Sequence, residues 1–172
     1  MTKTTKYLVI GTIVIVLLMS TTNAYGSLLS FLKKMEEDNK AALTAYDDGT
    51  GTWTIGYGSI WDYDRNRPVM PGDTIDLATA ERWLELEAQS KMAAVKQLVT
   101  VTINNNQLIA LASFAYNEGI EALRSSTLLK LLNSGADKAL VAAQFDRWVY
   151  AGGQVSKGLQ NRRSAEKNLF LS

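Results

Sequence analysis

The chain opens on its most apolar stretch. Tyr7 to Gly26 carries no charge, and its heart, Leu8-Val-Ile-Gly-Thr-Ile-Val-Ile-Val-Leu-Leu-Met19, follows a head that holds Lys3 and Lys6. Lysines ahead of an uninterrupted apolar run mark export, and the uncharged stretch approaches the roughly 20 residues that a membrane-spanning helix needs. Thr22 and Ala24 are small residues at the −3 and −1 positions of a cleavage after Ala24, as in a removable signal peptide. Gly11, Thr12, Ser20, Thr21 and Thr22 weaken the run, which suits insertion followed by escape. The pattern predicts an N-terminal hydrophobic helix within residues 1–26, read as a signal-anchor that can release ahead of a signal peptide. Residues 27–172 are then one globular domain.

Within that domain the hydrophobic period changes once. Leu28, Phe31, Leu32 and Met35 recur at helical spacing, with Ser27 as the expected N-cap and an end near Glu36. From Leu43 the pattern alternates, turns at Asp47-Asp48-Gly49, and returns through Thr52-Trp53-Thr54-Ile55 to Gly56 and Gly58, which predicts a small hairpin. Ile60 to Asp73 holds both prolines, Pro68 and Pro71, and reads as an irregular loop.

After Asp73 the chain reads as helical to its end. The predicted helices run from a capping Asp76 toward Val99, from Asn104 to Asn117, from Ser125 to Asn133, from Lys138 to Tyr150 and from Leu159 to Phe170. The expected fold class is α+β, mostly α: a small hairpin lobe, then a helical lobe, with a cleft between them.

Composition removes whole classes of chemistry. With no His and no Cys, the chain can build neither a Ser-His or Cys-His nucleophile nor a His/Cys zinc site. Acid–base work falls to Asp, Glu, Lys and Tyr. Net charge is +1, and without Lys3 and Lys6 there remain 16 basic against 17 acidic residues, a balance that does not point to nucleic acid.

Carboxylates, a hydroxyl and turn-forming glycines gather between Glu36 and Gly58, where the first helix runs into the hairpin. Two carboxylates on different elements facing one cleft can divide acid and base labour, because their surroundings push their pKa values apart. Glycoside hydrolysis needs that arrangement.

The segments Leu32-Lys-Lys-Met-Glu36, Leu43-Thr-Ala-Tyr-Asp-Asp48 and Trp53-Thr-Ile-Gly-Tyr-Gly58 together resemble the active-site region of the phage-type lysozymes, glycoside hydrolase family 24. Gln107 to Gly119, Ser126-Thr-Leu-Leu129, Trp148 with Gly152-Gly153, and Gly158 to Glu166 resemble that family's later motifs, in the same order. The resemblance implies a lysozyme-like fold and a catalytic glutamate, aspartate and threonine. Asp48 and Thr54 match directly, with Asp47 the rival aspartate. Without a gap the glutamate position falls on Asn39. A three-residue insertion puts it on Glu36, where Met35, Leu32 and Phe31 keep the family's apolar spacing, and Glu37 is second. Arg162, with Arg163 as the adjacent alternative, lies where the family places an arginine facing the glutamate. Tyr57, Asn117 and Ser126 are expected along the cleft, Trp148 in the core. Ser59 stands where the family usually has histidine.

The resemblance implies hydrolysis of the β-1,4 bond between N-acetylmuramic acid and N-acetylglucosamine in peptidoglycan, serving host cell lysis. Glu36 would protonate the leaving oxygen while Asp48 and Thr54 orient water on the opposite face, with inversion. No metal or cofactor is called for. The expected protein is a monomer whose partners are peptidoglycan and, through residues 7–26, the host inner membrane, from which it is released to the periplasm. Two other readings compete: a lytic transglycosylase, and a catalytically dead, membrane-attached wall-binding protein.

Overall fold

The computed structural model describes residues 24–36 and 40–172. The apolar run Leu8 to Met19, and Glu37 and Asn39 from the register question, lie outside the described residues. No helix among the described residues is long and apolar enough to cross a membrane.

The first helix, α1, covers residues 24–35, and Ser27 lies inside it instead of capping it. The reason is a buried stripe of period four. Ala24, Leu28 and Leu32 are 3%, 0% and 0% exposed, so the apolar face continues back across Ser27. The C-terminal end is as expected: Glu36 N donates the last helical bond to Leu32 O at 3.1 Å.

Strand β1 (Ala42–Asp47) pairs antiparallel with β2 (Trp53–Gly56), and the register shifts between Ala42 and Tyr46. The other edge of β1 is bonded too, by Ala45 N to Asp73 O and by Ile75 N to Leu43 O. Ala45, Ile55, Val69 and Trp83 form a small core of their own beneath this sheet. The expected irregular loop is instead a second short hairpin, β3 (Trp61–Asp62) with β4 (Arg67–Pro68). Asp62, 1% exposed, closes its turn by accepting from Asp64 N and Arg65 N and pairing with the Arg65 guanidinium.

The helical lobe begins at α2 (Leu77–Leu98), whose N-cap Asp76 accepts from Thr79 N at 2.7 Å. Helix α3 (Asn105–Glu118) starts with a capping box of Asn104 and Gln107 and buries every residue from Leu108 to Ala115. It is the centre of the molecule, packed between α2 and the last helix, α7 (Lys157–Leu171). Between them lie α4 (Ile120–Ser125), α5 (Thr127–Asn133, capped by Ser126) and α6 (Lys138–Ala142).

The helix expected to reach Tyr150 stops early. After Ala142 the chain tightens into a 3₁₀ turn over Ala143–Arg147, then forms the hairpin β5 (Tyr150–Ala151) and β6 (Gln154–Val155). Gly152 and Gly153, at φ 56° and 79°, make the two-residue turn that joins strands of normal twist. Trp148 therefore sits beyond the helix, yet it packs as expected, edge-on to Phe114 with ring centres 5.1 Å apart.

Candidate active site

The end of α1 delivers Glu36 to the start of α7. Arg162 Nη1 donates to Glu36 Oε1 at 2.7 Å, and the two side chains are 7% and 24% exposed. On the other side of the carboxyl is the backbone of Gly58, whose φ is +93°. A Cβ there would stand 3.5 Å from Glu36 Oε2 and 3.7 Å from Cδ, ordinary contact distances, so it is the positive φ that calls for glycine. Glu36, Lys40, Ala42, Tyr46, Gly56 and Gly58 line a cavity of about 170 Å³.

Behind Arg162 lies a buried charge network. Its Nε is 3.4 Å from Glu166 Oε1, which also accepts from Ser113 Oγ at 2.6 Å, and its Nη2 has no hydrogen-bond partner among the described residues. Arg163 pairs with Glu166 at 2.9 Å and reaches Glu118 at 3.1 Å and Asn117 Oδ1 at 2.7 Å. Burial lowers the Arg163 pKa and raises that of Glu166, while each opposes the shift of the other. Tyr116 closes the floor: it donates to Tyr57 O at 2.6 Å, and the Arg162 guanidinium lies 6.0 Å from its ring centre. Burial, with Glu87 and Glu36 nearby, keeps its phenol protonated far above neutral pH.

The hairpin register separates the two candidate aspartates. Tyr46 pairs with Thr54 and Asp47 with Trp53, and opposed residues share a face while successive residues alternate. Asp48 N bonds Thr52 O at 3.1 Å, continuing the ladder, so Asp48 returns to the face of Thr54 and the cavity-lining Tyr46. Asp47 lies on the opposite face, with Trp53 and the Trp83 core. Asp48 itself is exposed and does not line the cavity. Its Oδ1 accepts from Thr50 N at 2.8 Å and Thr50 Oγ1 at 2.7 Å, and these bonds hold its pKa below the ordinary carboxylate value. Thr54 is buried, its hydroxyl 3.4 Å from Thr52 O.

Residues 36–166 match the family model described as phage lysozyme. The chain belongs to the phage lysozyme family. The endolysin of Bacillus phage PZA is 43% identical over 120 residues, 70% of this chain but 44% of that protein, so the chain spans less than half of that relative's length. The SAR-endolysin of Bacteriophage PS119 is 34% identical over 126 residues, 73% of this chain and 72% of its own. Among solved structures, the endolysin from Escherichia coli O157:H7 phage FAHEc1 superimposes with a TM-score of 0.73 at 34% identity, covering 84% of this chain and 90% of that one.

Against this family's pattern, the fold brings Glu36, Arg162 and Tyr57 to one place, with Asn117 joined through Arg163. Ser126 is placed elsewhere. Its hydroxyl is used within its own turn, bonded to Leu123 O and Leu129 N, and it borders a separate groove with Gln144 and Trp148. Ser59, in the histidine position, donates to Glu87 on α2 at 2.5 Å. Tyr116, Ser113 and Glu166 were not singled out by sequence, because an apolar helix face and a charged C-terminal helix give no local sign of what they meet. The one available signal was spacing: Glu166 falls one turn after Arg162.

Proposed function

We propose that this chain is an endolysin hydrolysing the β-1,4 bond between N-acetylmuramic acid and N-acetylglucosamine in peptidoglycan. The observation that carries the reading is the Glu36 carboxyl, partly buried between Arg162 and Gly58 at the wall of a cavity that also meets the hairpin. A carboxyl so placed is desolvated on one side and open to a ligand on the other, as a proton donor must be. Glu36 protonates the leaving oxygen. Asp48, held ionised by its turn, orients water with help from Thr54 on the same hairpin face. An acid and a base on opposite sides of the bond give inversion.

The N-terminal run acts as a signal-anchor that releases. Support comes from Lys3 and Lys6, which stay cytoplasmic by the positive-inside rule, and from the SAR-endolysin relatives. The catalytic domain then faces the periplasm, first tethered to the inner membrane and afterwards free as a monomer.

The test is lysis of permeabilised Gram-negative cells by the purified full-length chain, followed by turbidity. Clearing that Glu36→Gln abolishes supports the enzyme. Binding to walls without clearing would instead favour the dead wall-binding protein.

A further inference from the structure

Glu166 takes no part in the reaction as drawn, yet none of its surface is exposed. It projects from α7 into the space between α3 and the two arginines. There it accepts from Ser113 Oγ at 2.6 Å, lies 3.4 Å from Arg162 Nε and pairs with Arg163 at 2.9 Å. Burial pushes the Glu166 pKa up, and the two guanidiniums and the Ser113 hydroxyl work against that rise by standing in for the lost water.

This placement bears on a difficulty at Glu36. A guanidinium 2.7 Å from a carboxyl favours the ionised form, which is the wrong form for a proton donor. Arg162 is not a lone cation, however. Two arginines are shared among three carboxylates, Glu36, Glu118 and Glu166, and two of the three are met before Glu36 is counted.

We propose that Glu166 is a positioning residue: it fixes Arg162 against Glu36 and, through its buried negative charge, keeps Glu36 able to hold the proton it donates. This rests on the reading of Glu36 as the acid. Among the described residues, the charged and titratable groups around Glu36 are few. Helix α7 supplies Arg162 with Arg163 and Glu166 behind it. Helix α3 supplies Tyr116 and, through Arg163, Glu118. Glu87 reaches Tyr116 from α2, and Lys40 and Tyr46 border the cavity from the β1 segment. Lys33, one turn back on α1, is engaged by Glu81 at 2.6 Å, while Glu37 and Asp38 lie outside the described residues. Among the described residues, Glu166 is the anion that shares Arg162 with Glu36.

The experiment is the pH dependence of kcat/KM on purified soluble glycan strands, using the full-length parent chain, Glu166→Gln, Glu166→Asp and Glu36→Gln. An enzyme that needs protonated Glu36 loses activity as pH rises through the pKa of that group. Glu166→Gln removes a negative charge beside the Arg162–Glu36 contact, so the alkaline limb should move about one pH unit toward acid. Glu166→Asp keeps the charge and should hold the limb within a few tenths of a unit, even where kcat falls. An alkaline limb that stays put in Glu166→Gln, or moves equally in both variants, overturns the proposal while Glu36 stands. Full activity in Glu36→Gln would remove the reading beneath it. If Glu166→Gln does not fold, a carboxyl-carbon NMR titration of the parent decides. Glu166 should stay ionised across the range where activity falls, and proton uptake there contradicts the proposal.

Discussion

Arg162 Nη1 and Glu36 Oε1 lie 2.7 Å apart although 126 positions separate them in the chain. This contact joins the helix that enters the hairpin lobe to the helix that ends the molecule. It also selects between neighbours, since the guanidinium of Arg163, one residue on, is turned to Glu118 and Asn117. Arg162→Ala should lower kcat far more than it changes KM, measured by steady-state turnover on soluble glycan strands. Arg163→Ala should act through folding instead. It leaves buried Glu166 without its closest cation, a loss on the order of 3–5 kcal/mol read from thermal or denaturant unfolding.

Glu36→Gln keeps volume and removes the transferable proton. Activity should fall by at least about a hundredfold with an unchanged melting temperature, the size expected when general acid catalysis is lost. Glu37→Gln should stay near the parent. The reverse order would move the acid by one residue.

Asp48→Asn should be severe and Asp47→Asn mild in the same turnover assay, because the register sets Asp48 on the Thr54 face and Asp47 on the face toward Trp83. Asp48 also closes its turn through Thr50. A melting curve therefore accompanies the assay, and a stability loss of about 1 kcal/mol should not account for the loss of rate.

Gly58→Ala puts a side chain at φ +93° with its Cβ 3.5 Å from Glu36 Oε2. The backbone strain should cost on the order of 1–3 kcal/mol in denaturant unfolding, and turnover should fall far less than in Glu36→Gln, because the new Cβ makes only ordinary contact with the carboxyl.

Asp73 holds the hairpin lobe in acid. The Arg67 guanidinium lowers its pKa to about 2, and its backbone carbonyl receives Ala45 N from β1. A depressed carboxylate contributes stability that is complete above its unfolded pKa, near 3.8, and disappears as pH falls through about 2. Arg67→Ala should therefore destabilise the protein at neutral pH and flatten the acid limb of its stability curve between those values. Urea midpoints measured from pH 2 to 6 check the slope, and an unchanged slope would contradict this coupling.

The sequence was most legible where one local signal decides one element. Capping at Asp76, the hairpin alternation and its glycines all form as their chemistry requires, while Asn104, read as the first residue of a helix, instead caps it with Gln107. It misled where local preference and packing disagreed. Ser27 is a good cap, but the Ala24–Leu28–Leu32 stripe needs the helix to continue through it. The amphipathic run after Lys138 stays α-helical only to Ala142, tightens into the 3₁₀ turn of Ala143–Arg147, and is followed by the hairpin that Gly152-Gly153 turns. In the site, the family motifs singled out Arg162 and, through a three-residue insertion, Glu36, and the fold brings these two into contact. The supporting groups Tyr116, Ser113 and Glu166 become visible only when α3 is laid against α7.

Product analysis tests the central claim most directly. The full-length chain should release reducing-end N-acetylmuramic acid from glycan strands, formed first as the α anomer, as single displacement by water requires. Early β-anomeric product would keep hydrolysis but reject the Asp48-positioned water. Predominantly anhydromuramyl ends would contradict the account, because they arise by attack of the sugar's own hydroxyl and leave the paired Asp48 and Thr54 without a task.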